Sequence, residues 1–193
     1  MKRTAIYSLL SLVLLVITCA PFLSDTASAQ SRLVRTILLD PGHGGIDSGA
    51  AAYFEDGSIL REKDVNLSVA HKTAELLRAK GYRVVLSRET DRGAGEGEEV
   101  NGDGRRTYRD DLQAVVDKAN EIRADLFLSL HTNGARNTEA SGVEAYYCAD
   151  RPTEAESWRL GVLVQASIVQ ALREIGYDAL ARVVNDDSLL YNY

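Results

Sequence analysis

The chain has 193 residues, 45% of them hydrophobic, with 22 basic and 28 acidic side chains and a formal net charge of -6. That length supports one compact domain rather than two, and a 26% charged fraction beside so much apolar sequence excludes a wholly disordered chain. The acid excess argues against nucleic acid as a partner through a basic surface, and two cysteines are too few for a disulfide framework.

The N-terminus reads as an address. Lys2 and Arg3 form a positive n-region, and an apolar run of about 15 residues extends from Ala5 to Cys19. Pro21 then breaks the run, and Ala27-Ser28-Ala29 places small residues where a signal peptidase cleaves. The run is shorter than the ~20 residues a spanning helix needs, so residues 1–29 are predicted to be a signal peptide rather than an anchor. Thr18 stands where a lipoprotein signal would carry Gly or Ala. The expectation is an exported protein of the cell envelope, periplasm or extracellular space, meeting a membrane only through this signal. Loss of Lys2, Arg3 and Asp25 would leave 164 residues at a net charge of -7, with Cys148 as the one cysteine. A small buried hydrophobe is its expected role, over a reactive thiol.

Thr36-Ile37-Leu38-Leu39 is a short apolar run stopped by Asp40-Pro41-Gly42, the pattern of a buried strand. Leu67, Ala70, Ala74 and Leu77 keep helical spacing within 62–80, and Gly81 suits the position just past a helix end. Residues 82–86 read as a strand, and the Gly- and Glu-rich segment 93–104 as an exposed loop. Leu112, Val115, Val116, Ala119 and Ile122 share one helical face. Residues 125–130 and 143–147 read as strands, and 157–175 as a helix closed by Gly176. Residues 180–193 receive no assignment. There is no internal repeat and no sign of a second domain. Strand–helix alternation predicts an α/β fold: a central, mainly parallel sheet with helices on both faces.

In such folds a site forms at the carboxyl ends of the strands. His43 follows the first strand, Glu62 opens the first helix, and His131 ends the 125–130 strand. Their sequence spacings of 19 and 69 residues look unrelated, but the topology brings them to one rim. Two imidazoles and a carboxylate suit Zn2+ and leave a fourth tetrahedral position for water, whose pKa the ion lowers to ~7. Each residue also has a plainer reading: a turn histidine, a helix-capping glutamate, a hydrogen-bonded histidine at a strand end. Asp40 is either a group orienting a ligand or a turn-stabilising aspartate before Pro41. His71, beside Lys72 and near Glu75, reads as a surface residue.

The ordered set Asp40-Pro41-Gly42-His43-Gly44-Gly45, Glu62 with Asn66 and Ala70, Ala119-Asn120, Ala124 through Asn133, and Ser141 through Tyr147 resembles the zinc-dependent N-acetylmuramoyl-L-alanine amidase family. The resemblance runs from about Thr36 to the end. It implies an α/β fold with a central, mainly parallel sheet, and His43, Glu62 and His131 as the zinc ligands. The implied activity is hydrolysis of the amide between N-acetylmuramic acid and L-alanine in peptidoglycan. Asn133 is a candidate substrate-binding residue.

The family carries a general base as a glutamate on a late strand, and no matching run occurs between Ala181 and Tyr193. The expectation is that residues 30–193 form the catalytic domain without its last strand, the base lying beyond Tyr193. Glu144 is then a residue lining the site rather than the base. Val115 and Thr132 stand where relatives often carry Arg and Ala. The alternatives are a non-catalytic zinc-binding module that recognises peptidoglycan, or another zinc peptidase. Need for an activator protein is left open.

Overall fold

In a computed structural model of the chain, the described residues are 35–95, 108–135 and 140–188. The predicted signal peptide, most of the 93–104 segment and the end of the chain after Ser188 lie outside them. The strands are β1 (Thr36–Pro41), β2 (Ala51–Tyr53), β3 (Ile59–Arg61), β4 (Arg83–Leu86), β5 (Leu126–Leu130), β6 (Val143–Tyr147) and β7 (Ala181–Asp186). The helices are α1 (Glu62–Ala79), α2 (Tyr108–Glu121) and α3 (Glu154–Glu174). The chain is thus mixed α/β with mainly parallel strand pairing, as predicted. Its described residues divide into two compact units: those of Met1–Asp47 with Asn66–Leu130, and those of Ser48–Val65 with His131–Tyr193.

The first unit is built on β1, which pairs in parallel with β4 on one side and β5 on the other. Every residue of β1 is buried, which explains its continuous apolar run: a central parallel strand has no solvent face. Ile37 and Leu39 pack with Val84, Leu86 and the fully buried Ala70 and Ala74 of α1, and Leu77, Leu126, Leu128 and Leu130 complete the cluster. Two alanines in the helical stripe let the helix axis come close to the sheet. The helix stops at Gly81, whose φ of 89° lets its N–H reach Arg78 O at 2.9 Å and that of Tyr82 reach Leu77 O at 3.2 Å.

Polar bonds finish this unit. Asp40 is buried at the end of β1 and accepts from Ser87 Oγ at 2.5 Å and Ser129 Oγ at 2.7 Å. It therefore clamps the ends of all three strands, which neither sequence reading of Asp40 anticipated. At the other end Asp125 accepts from the Thr36 N–H at 2.8 Å and from Arg35 at 3.1 Å. The Thr36 amide first, and then Arg35, hold the Asp125 carboxyl below the usual aspartate range.

Helix α2 departs from its expected apolar face. Val115 is buried, but Leu112 and Val116 are about half exposed. The helix is instead held by polar contacts: Asp111 accepts from the Gly95 N–H at 2.8 Å, and Lys118 Nζ donates to Ser87 O at 3.1 Å. Gly93 and Gly95 are buried, so the start of the predicted exposed loop is packed structure. A Cβ on Gly95 would come within 3.2 Å of Ala114 Cβ and Asp110 O.

The second unit contains a hairpin that the sequence reading did not assign. β2 and β3 pair antiparallel around Gly57, whose φ is 82°, and Asp56 accepts from Ser58 N and Oγ at 2.9 and 2.7 Å. The unit also contains β6 and β7, a parallel pair whose register shifts between Val143 and Ala145, with α3 between them in sequence. Strand β7 fills the unassigned region after residue 180. The buried Gln165 of α3 donates to Val143 O at 2.8 Å and Arg182 O at 2.7 Å, satisfying carbonyls beside the irregular register. Gly161 lies one turn earlier, where a Cβ would meet Val184 at 3.1 Å. Helix α3 begins at Glu154, three residues before the predicted start, because the acidic first turn of Glu154 and Glu156 complements the helix dipole ahead of the apolar pattern. Cys148 is a free, half-buried thiol rather than a buried one. No helix among the described residues is long and apolar enough to cross a membrane.

Two outcomes test these polar fasteners. Asp40→Ala leaves Ser87 and Ser129 without their buried acceptor and should lower the unfolding free energy by about 2–4 kcal/mol, read from urea denaturation; a loss under about 0.5 kcal/mol would refute the clamp. The Asp125 contribution, resting on a lowered folded-state pKa, is present above the ordinary aspartate value of about 3.9 and fades as pH falls through the folded value. The urea midpoints of wild type and Asp125→Asn should therefore differ at neutral pH and converge in acid.

Candidate metal centre

The loop after β1 is tightly held. The Gly42 N–H donates to Leu130 O at 3.0 Å, so the strand pairing continues to the residue before each histidine. Gly42 O accepts from Asn66 Nδ2 and from Arg88 Nη2, each at 3.2 Å, while Arg88 Nε donates to Pro41 O at 2.8 Å. Arg88 and Asn66 are both almost fully buried. Asn66 lies one helical turn beyond Glu62, so Gly42, which itself precedes His43, bonds to residues close in sequence to the other two candidate ligands.

His43 adopts φ 65°, a left-handed conformation unfavourable for a residue with a Cβ and typical of constrained sites. Its Nδ1 lies 2.8 Å from Asp47 Oδ2. Gly44, at φ 143°, passes so close to the 88–93 segment that a Cβ would stand 2.3 Å from Arg92 O. Gly45 N donates to Asp91 Oδ1 at 2.9 Å.

Glu62 stands in the first turn of α1, its side chain 4% exposed. Each carboxylate oxygen accepts a backbone N–H at 2.9 Å: Oε2 from Ala50 and Oε1 from Thr132. Oε1 also lies 3.1 Å from Nδ1 of His131, a ring that is 38% exposed. Thr132 acts here through its main chain, so its departure from the family's usual residue leaves this bond intact. One ligand atom from each of His43, Glu62 and His131 lies within 4.8 Å of the others.

The donor set fits a divalent metal. A buried carboxylate whose two oxygens are oriented by main-chain N–H groups is a suitable cation ligand, and two imidazoles with one carboxylate match zinc better than the oxygen-rich shells of calcium or magnesium. Asn133 and Glu144 belong to the second unit. Asn133 Nδ2 donates to Glu144 Oε1 at 3.4 Å, and Arg182 Nη1 lies 3.6 Å from Glu144 Oε2. His71 is on the surface as predicted, its Nε2 3.0 Å from Glu89 O. Sequence reading missed Asp47, Asp91 and Arg88. The available signal for Asp47 was its place four residues after His43, across the Gly44-Gly45 turn.

Residues 37–186 match the N-acetylmuramoyl-L-alanine amidase family. The chain belongs to this family. It is 37% identical over 137 residues to the N-acetylmuramoyl-L-alanine amidase LytC of Bacillus subtilis, covering 71% of this chain and 23% of that protein. It is 39% identical over 114 residues to the germination-specific N-acetylmuramoyl-L-alanine amidase of the same organism, covering 58% of this chain and 45% of that one. The chain thus spans less than half the length of either relative. Among solved structures, the N-acetylmuramoyl-L-alanine amidase from Clostridium difficile superposes with a TM-score of 0.59 at 28% identity, covering 79% of this chain and 69% of that one. Membership in the amidase family agrees with the fold predicted from sequence.

The loop geometry makes Gly44 irreplaceable. Gly44→Ala combines a strained φ with a backbone clash and should cost about 3 kcal/mol or more by urea denaturation. Gly57→Ala, at a positive φ but with open space around it, should cost only about 1–2 kcal/mol. Equal losses would show that the contact with Arg92 is unimportant.

Proposed function

We propose that the chain is an exported, zinc-dependent hydrolase of peptidoglycan that cleaves the amide between N-acetylmuramic acid and L-alanine. The observation that carries this reading is the His43, Glu62 and His131 donor group in a chain of the amidase family. Residues 1–29 would act as the export signal, which places the activity at the cell envelope or outside it.

His43, Glu62 and His131 would hold the metal. Bound zinc supplies Lewis-acid polarisation of an amide carbonyl and activation of water at neutral pH. The Ala50 and Thr132 amides donate to the two oxygens of Glu62 and fix its carboxyl group in place. His131 Nδ1 and Glu62 Oε1, 3.1 Å apart, are close enough that both groups would hold the same ion. Asn133 is offered to substrate from two residues beyond His131. Glu144, engaged by Arg182 and Asn133, braces this region and is not assigned the proton-transfer role.

Metal analysis of the purified protein should give one zinc per chain, lost in His43→Ala and in His131→Ala. Any release of L-alanine amino termini on incubation with peptidoglycan should depend on zinc and be absent from both variants. Full metal content in both variants would refute the ligand assignment. Stoichiometric zinc without any release would turn the reading to a recognition module.

A further inference from the structure

We infer that Asp47 is a positioning residue for His43, fixing the imidazole so that Nε2 is the atom offered to a metal. This rests on the metal reading above. An ionised carboxylate only accepts hydrogen bonds, so the 2.8 Å contact between Asp47 Oδ2 and His43 Nδ1 places the proton on Nδ1. A neutral imidazole protonated there carries its lone pair on Nε2.

The backbone enforces this pairing. Gly44 N donates to Asp47 O at 2.9 Å and Asp47 N donates to Gly44 O at 3.1 Å, a closed two-bond bridge. That bridge returns the Asp47 side chain to the residue preceding Gly44. Asp91 pins the turn by accepting from Gly45 N, and the close passage of Gly44 under Arg92 O leaves the loop little room to relax. His43 is held at its strained φ by the same loop.

A purely structural ion pair is the weaker account. The His43 and Asp47 side chains are 17% and 37% exposed, so solvent reaches the carboxylate and limits what the pair adds to stability. Orienting a ligand imidazole, by contrast, typically changes metal affinity 10–100-fold. The carboxylate also makes the ring a stronger donor by drawing on the Nδ1 proton.

The test measures zinc affinity by competition with a chromogenic chelator for wild type, Asp47→Ala and Asp47→Asn. Nitrogen-15 spectra of the metal-free proteins report the His43 tautomer. Asp47→Ala should bind zinc about 10–100-fold more weakly, and its His43 ring should lose the uniform Nδ1–H tautomer. Asp47→Asn, whose amide oxygen still accepts, should lose less. Wild type that binds no zinc would overturn the metal reading itself. Wild type and Asp47→Ala that bind zinc equally would overturn only the role of Asp47. Should Asp47→Ala fail to fold, the wild-type spectrum decides, because an Nε2–H ring at His43 overturns the inference without any variant.

Discussion

The peptide unit of Gly42 is the constraint on which the candidate centre depends. Its N–H is committed to Leu130 O, and its carbonyl to Asn66 and Arg88. A glycine in a turn would ordinarily be the loosest point of a chain, because it has the most backbone freedom to lose on ordering. Here one carbonyl acceptor and two buried donors remove that freedom. Just behind it, Asp40 ties the same strand end to Ser87 and Ser129. The result is a rim whose polar atoms are satisfied inside the protein rather than by water, so the residues projecting from it inherit the rigidity of the sheet.

The chemistry of the donor group follows from how its charge is managed. Burying a lone carboxylate is costly unless its oxygens are bonded. Glu62 meets this requirement with main-chain amides on both oxygens. The two histidines differ in their surroundings. His43 sits in a strained, closed loop against a carboxylate, whereas His131 is more open and lies directly against Glu62.

Much of this architecture was legible in the sequence. Strand β1 announced itself as an uninterrupted apolar run, and α1 by Ala70, Ala74 and Leu77 followed by Gly81. The candidate ligands were legible because strand-end and helix-start positions share a rim in parallel α/β topology. What escaped had physical reasons. Strands β2 and β3 have three residues each, too few for an alternating pattern, and their large apolar side chains are exposed. Strand β7 has a register irregularity that breaks the alternating period. Asp40 looked like a turn residue because sequence shows the neighbour, Pro41, but not the two serines that arrive from strands 47 and 89 residues away. Arg88 was invisible for the same reason.

The β2–β3 hairpin lies between His43 and Glu62 in sequence, yet Glu62 does not rely on its length. Its base is closed by Glu62 N to Ala50 O at 2.8 Å and Lys63 N to Ser48 O at 3.2 Å, with Ala50 N returning to the Glu62 carboxylate. Everything beyond those bonds hangs from a closed gate. The tip around Asp56 and Gly57 is exposed and touches nothing that a side chain on Gly57 would meet. The segment between two candidate ligands can therefore lengthen, shorten or change its surface in the course of evolution while the carboxylate stays in register. The hairpin is a place where this scaffold can acquire new contacts without disturbing its chemistry.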